Sequence, residues 1–195
     1  MYIANFTSGG LLLNESRAVA RLLLSGVPAD KLSDTVLTGN VLQKRTPSSA
    51  KRILNLLMLR LKDLDAPYLE FLLSAGSAEA SLFLLAVCCE KHRILGDFLI
   101  YIKRDCIDQY RTAISHEDWN HYFARCINAE PEIDSWTEAT RKKLRSTMFT
   151  MLANAGVIEK KSGKLLPLYF SSALTDYLAS PGHENTRAIL EGLLA

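Results

Sequence analysis

The residues with most chemistry to offer are cations set beside hydroxyls. In the run NVLQKRTPSSAKRI, Lys44, Arg45, Ser48, Ser49, Lys51 and Arg52 gather around the expected start of a long helix. Unpaired backbone N–H groups at a helix start, together with hydroxyls and Lys or Arg, bind anions, and a nucleic-acid backbone presents anions in series. Cations at that end also oppose the helix dipole, which favours anions there by roughly 0.3–1 kcal/mol. From Thr35 to Lys62 six basic residues (Lys44, Arg45, Lys51, Arg52, Arg60, Lys62) meet no acidic one. A second constellation runs from Arg141 to Lys164, where Arg141, Lys142, Lys143, Arg145, Lys160, Lys161 and Lys164 face Glu159 alone. Its first cations fall in the opening turns of a helix, and Lys160, Lys161 and Lys164 surround the tip of a predicted hairpin. Helix followed by basic hairpin is the order of a winged helix. Phosphate contacts by these residues give salt-dependent affinity, with a logarithmic slope near 0.9 per phosphate neutralised on duplex DNA. Only Arg52, Arg141 and Arg145 look placed for bidentate base contact, so backbone contacts should dominate. The competing reading of both stretches is a solvated face, pairing with acids from elsewhere in the fold, or a winged helix used for protein contact.

Catalytic readings are weaker. His92, His116, His121 and His183 are scattered, and His116 and His121 stand five apart, not the four that puts two imidazoles on one helix face. Cys126 follows His121 by five and reads as a buried thiol. Asp105 and Asp108 sit three apart on a helix, a pair more often solvated than metal-bound. Ser8-Gly9-Gly10 follows no predicted strand, and the phosphate-binding, dinucleotide-binding and nucleophile-elbow motifs are missing. The expectation is a non-enzyme with no catalytic residue, no metal and no cofactor.

Whole-chain charge hides the segregation. The 195 residues, 48% apolar and 23% charged, are of ordinary globular composition, with a net charge of +2. The two basic stretches carry +6 each, which leaves −10 on the remaining 143 residues. An acidic body with two basic surfaces results. Cys88, Cys89, Cys106 and Cys126 lie in apolar or helical text without metal-site or stapled-domain spacing, and read as reduced core thiols. The N-terminal text lacks the features of a signal peptide. The longest uncharged runs, Tyr2 to Asn14 and Ser146 to Ile158, span 13 residues each, short of the roughly 20 a spanning helix needs. A soluble cytoplasmic protein is expected.

Apolar residues recur at spacings of three and four almost throughout, so the predicted class is all-α. Ser8 or Asn14 caps a first helix carrying Leu11, Leu12, Val19, Leu22 and Leu23, ended by Gly26 and Pro28. A short helix covers 28–37. Thr46-Pro47 opens a long one to about Lys62, with Ala50, Ile53, Leu54, Leu57, Leu61 and Leu64 inward. Three more helices, near 69–73, 81–90 and 94–107, break at Gly76 and His92, and the run ASLFLLAVCC (80–89) belongs at the centre. Ser115 and Asp118 form a capping box for a helix through Trp119, Tyr122, Phe123 and Ile127, which Glu130-Pro131 stops. Ser135 or Thr137 opens the next, with Leu144, Met148, Met151, Leu152 and Ala155 inward and Gly156 ending it. Val157 to Glu159, a turn at 160–163 and Lys164 to Leu166 read as one small β-hairpin. Helices at 171–178 and 183–194 close the chain. This divides into an N-terminal helix-turn-helix-like part (1–65), a central helical core (66–112) and a C-terminal winged-helix-like part (113–195).

Tyr2-Ile3-Ala4, Thr7 to Leu13 (TSGGLLL), Glu15-Ser16-Arg17 and Asn40 to Ile53 together resemble the BrxA family of BREX bacteriophage-exclusion systems, most strongly from Tyr2 to about Tyr110. The resemblance implies a subunit without catalytic residues, encoded beside a DNA methyltransferase, an ATPase and a phosphatase-like partner that together mark host DNA and block phage. It also implies a likeness to the RNA-binding factor NusB, which keeps RNA open as a ligand. The functional expectation is therefore a double-stranded DNA-binding BREX component. The alternatives are an adaptor whose basic faces dock acidic surfaces of sister proteins, and a NusB-like RNA binder.

Overall fold

The computed structural model describes residues 1–3 and 9–193. Ser8, offered as a cap and as part of the glycine run, and the expected helix end at Leu194 lie outside the described residues. The expected all-α class is correct, with α-helices carrying most of the described chain. In order they are α1 (Leu13–Leu24), α2 (Ala29–Thr38), α3 (Pro47–Leu61), α4 (Ala66–Ser74), α5 (Ser77–Lys91), α6 (Arg93–Ile102), α7 (His116–Ala129), α8 (Glu138–Asn154), α9 (Ser172–Ala179) and α10 (Glu184–Glu191). A π-helical turn, Lys103–Ile107, extends α6, and a 3-10 turn, Pro131–Ser135, joins α7 to α8.

Local chemistry sets most boundaries. Thr46 accepts from the Ser49 N–H and Pro47 occupies the first turn of α3. At the start of α7, Ser115 and Asp118 close the capping box reciprocally. Thr137, not Ser135, caps α8 by accepting from Thr140 N–H at 3.2 Å. Gly26 (φ +73°) and Gly156 (φ +74°) take the left-handed backbone that ends α1 and α8. Asn14 is not a cap: α1 begins at Leu13, because Leu12 adopts φ 57°, ψ 46° and turns the chain into the helix before Asn14 is reached. Leu11 and Leu12 precede that helix, and Leu64 lies half-buried beyond the end of α3.

Helix α5 is the axis of the molecule. All ten residues from Ala80 to Cys89 are buried, so the apolar run packs on every side, against α1, α3, α4, α6, α8 and α10. The four cysteines lie buried as free thiols. Phe98, Trp119, Tyr122 and Phe123 pack ring against ring at centroid separations of 5.1–5.6 Å where α6 meets α7, Phe98 edge-on to Trp119 and Trp119 stacked on Phe123.

The predicted hairpin forms in reduced length. Ile158 bridges Leu165 antiparallel, Glu159 N–H donates to Lys164 O at 2.8 Å and Leu166 N–H to Val157 O at 3.0 Å. A third segment joins it from before α7: Ala113 bridges Lys164, Ile114 N–H donates to Gly163 O and Leu165 N–H to Thr112 O. Gly163 makes this approach possible. Its φ is +69°, and a Cβ there would stand 2.0 Å from the Ile114 carbonyl oxygen. Gly163→Ala should therefore cost about 1–3 kcal/mol, read by denaturant unfolding; a loss no larger than that of Ala at exposed Ser162 would contradict this packing.

Candidate nucleic-acid interface

The first basic face is the start of α3 with the turn that feeds it. The eight residues between α2 and α3 use two left-handed backbones, Asn40 (φ 42°) and Gln43 (φ 50°), and Asn40 Oδ1 accepts from Lys44 N–H at 3.0 Å. Thr46 then caps α3, which leaves Ser48, Lys51, Arg52 and Asn55 exposed on one side and Ala50, Ile53, Leu54 and Leu57 buried on the other. Ser49 is half-buried, and its backbone N–H donates to Thr46 Oγ1 at 3.2 Å. Ser48, Lys51, Arg52 and Asn55 line a shallow depression of about 440 Å³ floored by Leu56 and Leu59. Arg45, Lys51 and Arg52 enter no ion pair among the described residues.

Two of the basic residues counted in this stretch behave otherwise. Lys44 meets Glu15 of α1 at 2.6 Å, so its charge is balanced from 29 positions away. Arg60 is fully buried and adds nothing to the surface: α3 turns it inward, where Nη1 donates to the carbonyls of Gly10 at 2.9 Å and Leu11 at 3.4 Å.

The second face combines α8 with the hairpin. Lys160, Lys161 and Lys164 are exposed and unpaired among the described residues. On α8 the cations divide. Arg141 is committed to the turn before its helix: Nε donates to Trp136 O at 2.9 Å, Nη2 meets Asp134 Oδ1 at 2.8 Å and the Asp134 carbonyl, and the guanidinium lies 5.3 Å from the Phe123 ring centroid. That clamp fixes the entry of α8, and leaves Arg141 poorly placed for the base contact its position suggested. Lys142 pairs with Glu138 one turn earlier at 2.7 Å, with both side chains well exposed. Such a pair is worth little and yields to a stronger anion. Arg145 is half-buried and reaches Asn120 Oδ1 of α7 at 3.5 Å. These residues line the cleft between α7 and α8, about 400 Å³ over Trp119 and Phe123.

Lys143 is the cation that spacing alone undervalued. It is exposed, free of ion pairs among the described residues, and shares the outward side of α8 with Ser146, Thr150 and Asn154. The signal was present, since those positions follow at intervals of three and four from Lys143 opposite the buried Leu144, Met148, Met151 and Leu152.

A family model for BrxA matches residues 1–182. The chain belongs to the BrxA family. It is 32% identical to the BREX protein BrxA of Paramagnetospirillum magneticum over 91% of this chain and 89% of the relative. It is 24% identical to the BREX protein BrxA of Escherichia coli O9:H4 over 98% and 90%. The fold matches a crystal structure of an uncharacterized protein from Magnetospirillum magneticum with a TM-score of 0.82 and 27% identity, covering 99% of this chain and 97% of that one. The BrxA match spans the first basic face, α8 and the hairpin alike.

The pairs considered for chemistry in this BrxA-family chain are engaged in other ways. Asp105 holds Arg125 in a two-pronged pair at 2.8 and 2.9 Å, whereas Asp108 turns to Lys103. His116 packs edge-on against Phe149 at 4.9 Å, and burial with the nearby Arg60 charge drives His92 down to about 3. Among the described residues no three His, Cys, Asp or Glu side chains converge as a metal site, and no helix is long and apolar enough to cross a membrane.

Proposed function

We propose that this chain is a non-enzymatic, cytoplasmic, double-stranded DNA-binding component of a BREX anti-phage system, gripping mainly the phosphate backbone. The observation that carries the reading is the set of exposed cations without an ion pair among the described residues: Arg45, Lys51 and Arg52 at the capped start of α3, and Lys143, Lys160, Lys161 and Lys164 around α8 and the hairpin. Connectivity supports it. The order of segment 112–114, α7, α8, then a hairpin whose second arm lies between the first arm and segment 112–114, is that of a winged helix. On this reading 113–195 is the winged part, 66–112 the core, and α2 with α3 in 1–65 a helix-turn-helix-like unit. Lys44, Lys142 and Arg145 reinforce the grip by exchanging their present partners for phosphate, and Ser48 and Ser49 add hydroxyls. Sister BREX proteins, a methyltransferase, an ATPase and a phosphatase-like subunit, are the protein partners this role implies.

The test is fluorescence anisotropy with unrelated labelled duplexes across a salt series. Binding should be similar between sequences, and replacing Lys160, Lys161 and Lys164 together by Ala should lower the salt slope by up to about 2.7, at about 0.9 per lost phosphate contact. Lys51→Ala with Arg52→Ala should lower it by about 1.8. No binding at low salt refutes the proposal, an unaltered slope removes the hairpin from it, and stronger binding of hairpin RNA in competition replaces DNA by RNA.

A further inference from the structure

Behind the hairpin, the backbone from Pro167 to Phe170 runs in no regular structure, and its hydrogen-bonding groups find no backbone partner among the described residues. Leu168, Tyr169 and Phe170 donate no backbone hydrogen bond to described backbone, and none of the carbonyls from Pro167 to Phe170 accepts one. Unpaired N–H and C=O groups along an extended segment are a template for an added strand. The side chains around it are the wrong kind for plain solvent. Tyr169 is 82% exposed, Leu166 37% and Tyr110 94%, three of the six large apolar side chains that remain exposed among the described residues.

Two depressions flank this segment and meet at Pro167 and Leu168. One, about 370 Å³, is floored by Ile107, Val157, Leu168 and Leu193 and rimmed by Tyr110 and Leu166. The other, about 450 Å³, lies over Leu82 and Ala155 beside Tyr169 and Phe170. Tyr110 is held there at φ 56°, a left-handed backbone that disfavours a bulky side chain. The cationic rim belongs to the first depression. Lys164 is exposed there without an ion pair among the described residues, and Arg111, although bound to Asp118, keeps its side chain 43% exposed.

We propose that this trough docks an extended segment of a partner protein by strand addition along 167–170, with alternate apolar side chains entering the two depressions and a carboxylate meeting Lys164. Alternation follows from strand geometry, which sends successive side chains to opposite faces and so places residues two apart on the same one. The idle backbone requires an extended occupant, the two apolar depressions require spaced apolar side chains, and the lysine sets the sign of the charge. The proposal does not depend on DNA binding, although Lys164 belongs to both surfaces, so a partner seated here lies directly behind the hairpin.

The probe is a display library of random twelve-residue peptides, selected on the full chain and measured singly as synthetic peptides. Selected sequences should share two apolar residues spaced by one, with a nearby Asp or Glu. Leu166→Glu should weaken them at least tenfold, and N-methylation of their central amides should abolish binding. Tyr110→Gly relieves the left-handed backbone, so it should weaken peptides while leaving the melting temperature unchanged or higher. Lys164→Glu should reverse the selected charge from acidic to basic. Peptides that bind as helices, that lack a charge preference, or that ignore Leu166→Glu overturn the proposal. So does self-association of the chain lost on Leu166→Glu, which assigns the trough to a second copy.

Discussion

Asp118→Ala should lower the unfolding free energy by about 2–3 kcal/mol, or roughly 5–10 °C in melting temperature for a domain of this size. Asp118 is 3% exposed, and its carboxylate accepts from four nitrogen and oxygen donors, with the Cys106 thiol a weak fifth at 3.9 Å. It receives Arg111 through both oxygens at 2.5 and 2.9 Å, the Ser115 N–H at 2.7 Å and the Ser115 hydroxyl at 3.1 Å. Removing it opens the capping box of α7, worth about 1 kcal/mol, and strips partners from Ser115 and Arg111. Arg111 is 43% exposed and rehydrates, which keeps the loss below the 3–5 kcal/mol of breaking a fully buried pair. Asp118→Asn should fall between, since its carbonyl still accepts from Ser115 but cannot receive a guanidinium fork. Burial pushes the Asp118 carboxyl up, but the Arg111 and Ser115 hydrogen bonds outweigh it and hold the group below the ordinary carboxylate range. With the folded pKa depressed, the stabilisation is complete above about pH 4 and is lost as pH falls through the lower folded value. Asp118→Asn should lose that part of the acid limb. Equal stability of the Ala variant and the parent by urea unfolding at pH 7 would show that the clamp contributes nothing.

What was legible in the sequence is what short-range chemistry decides. Thr46-Pro47, the Ser115 and Asp118 pair, Gly156 and the ASLFLLAVCC run each fixed an element because cap, turn or burial depends on residues within a turn or two. The charge reading carried less well, because surface potential depends on what folding brings together. Lys44 is met by Glu15 across 29 positions, and Arg141 is taken by the carbonyl of Trp136 and by Asp134; the acids involved lie outside the two stretches that look uncompensated. The segment 112–114 was illegible for another reason. It is too short to show alternation, and its pairing rests on Gly163 leaving room for the Ile114 carbonyl.

Those losses sharpen the two faces instead of erasing them. With Arg60 buried, Lys44, Arg141 and Lys142 in ion pairs and Arg145 on Asn120, the cations of the two stretches without an ion pair among the described residues contract to Arg45, Lys51 and Arg52 at the start of α3, Lys62 just beyond its end, and Lys143 with the three hairpin lysines. The contraction weakens the case for direct base reading, since Arg141 is committed and Arg145 leans on Asn120. On the proposed DNA-binding reading, the lysines in this set supply point charge without a guanidinium's fixed fork, and base contact is left to Arg52.

Arg60→Ala and Arg60→Met should part company, with about 3 kcal/mol lost by Ala and a change within about 1 kcal/mol for Met. Arg60 lies three residues beyond Leu57 on the buried stripe of α3, a spacing that already points it inward. Its Nη1 donates to Gly10 and Leu11, but Nε and Nη2 find no hydrogen bond and no carboxylate pairs with it among the described residues. Ala leaves a cavity and two carbonyls without a donor. Met refills the volume and removes a desolvated charge, a gain that offsets the lost carbonyl contacts. The same charge helps hold His92 neutral, after burial, with a folded pKa of about 3. Because the unfolded histidine titrates near 6.5, the unfolded chain binds the proton first, and stability declines as pH drops from about 6.5 toward 3. Arg60→Met lifts the lower edge of that window, so the stability difference between pH 7 and pH 3 should shrink. Urea unfolding of both variants at the two pH values reads both effects, and equal losses for Ala and Met at pH 7 would show that the guanidinium's bonds to Gly10 and Leu11, not its volume, hold this corner of the core.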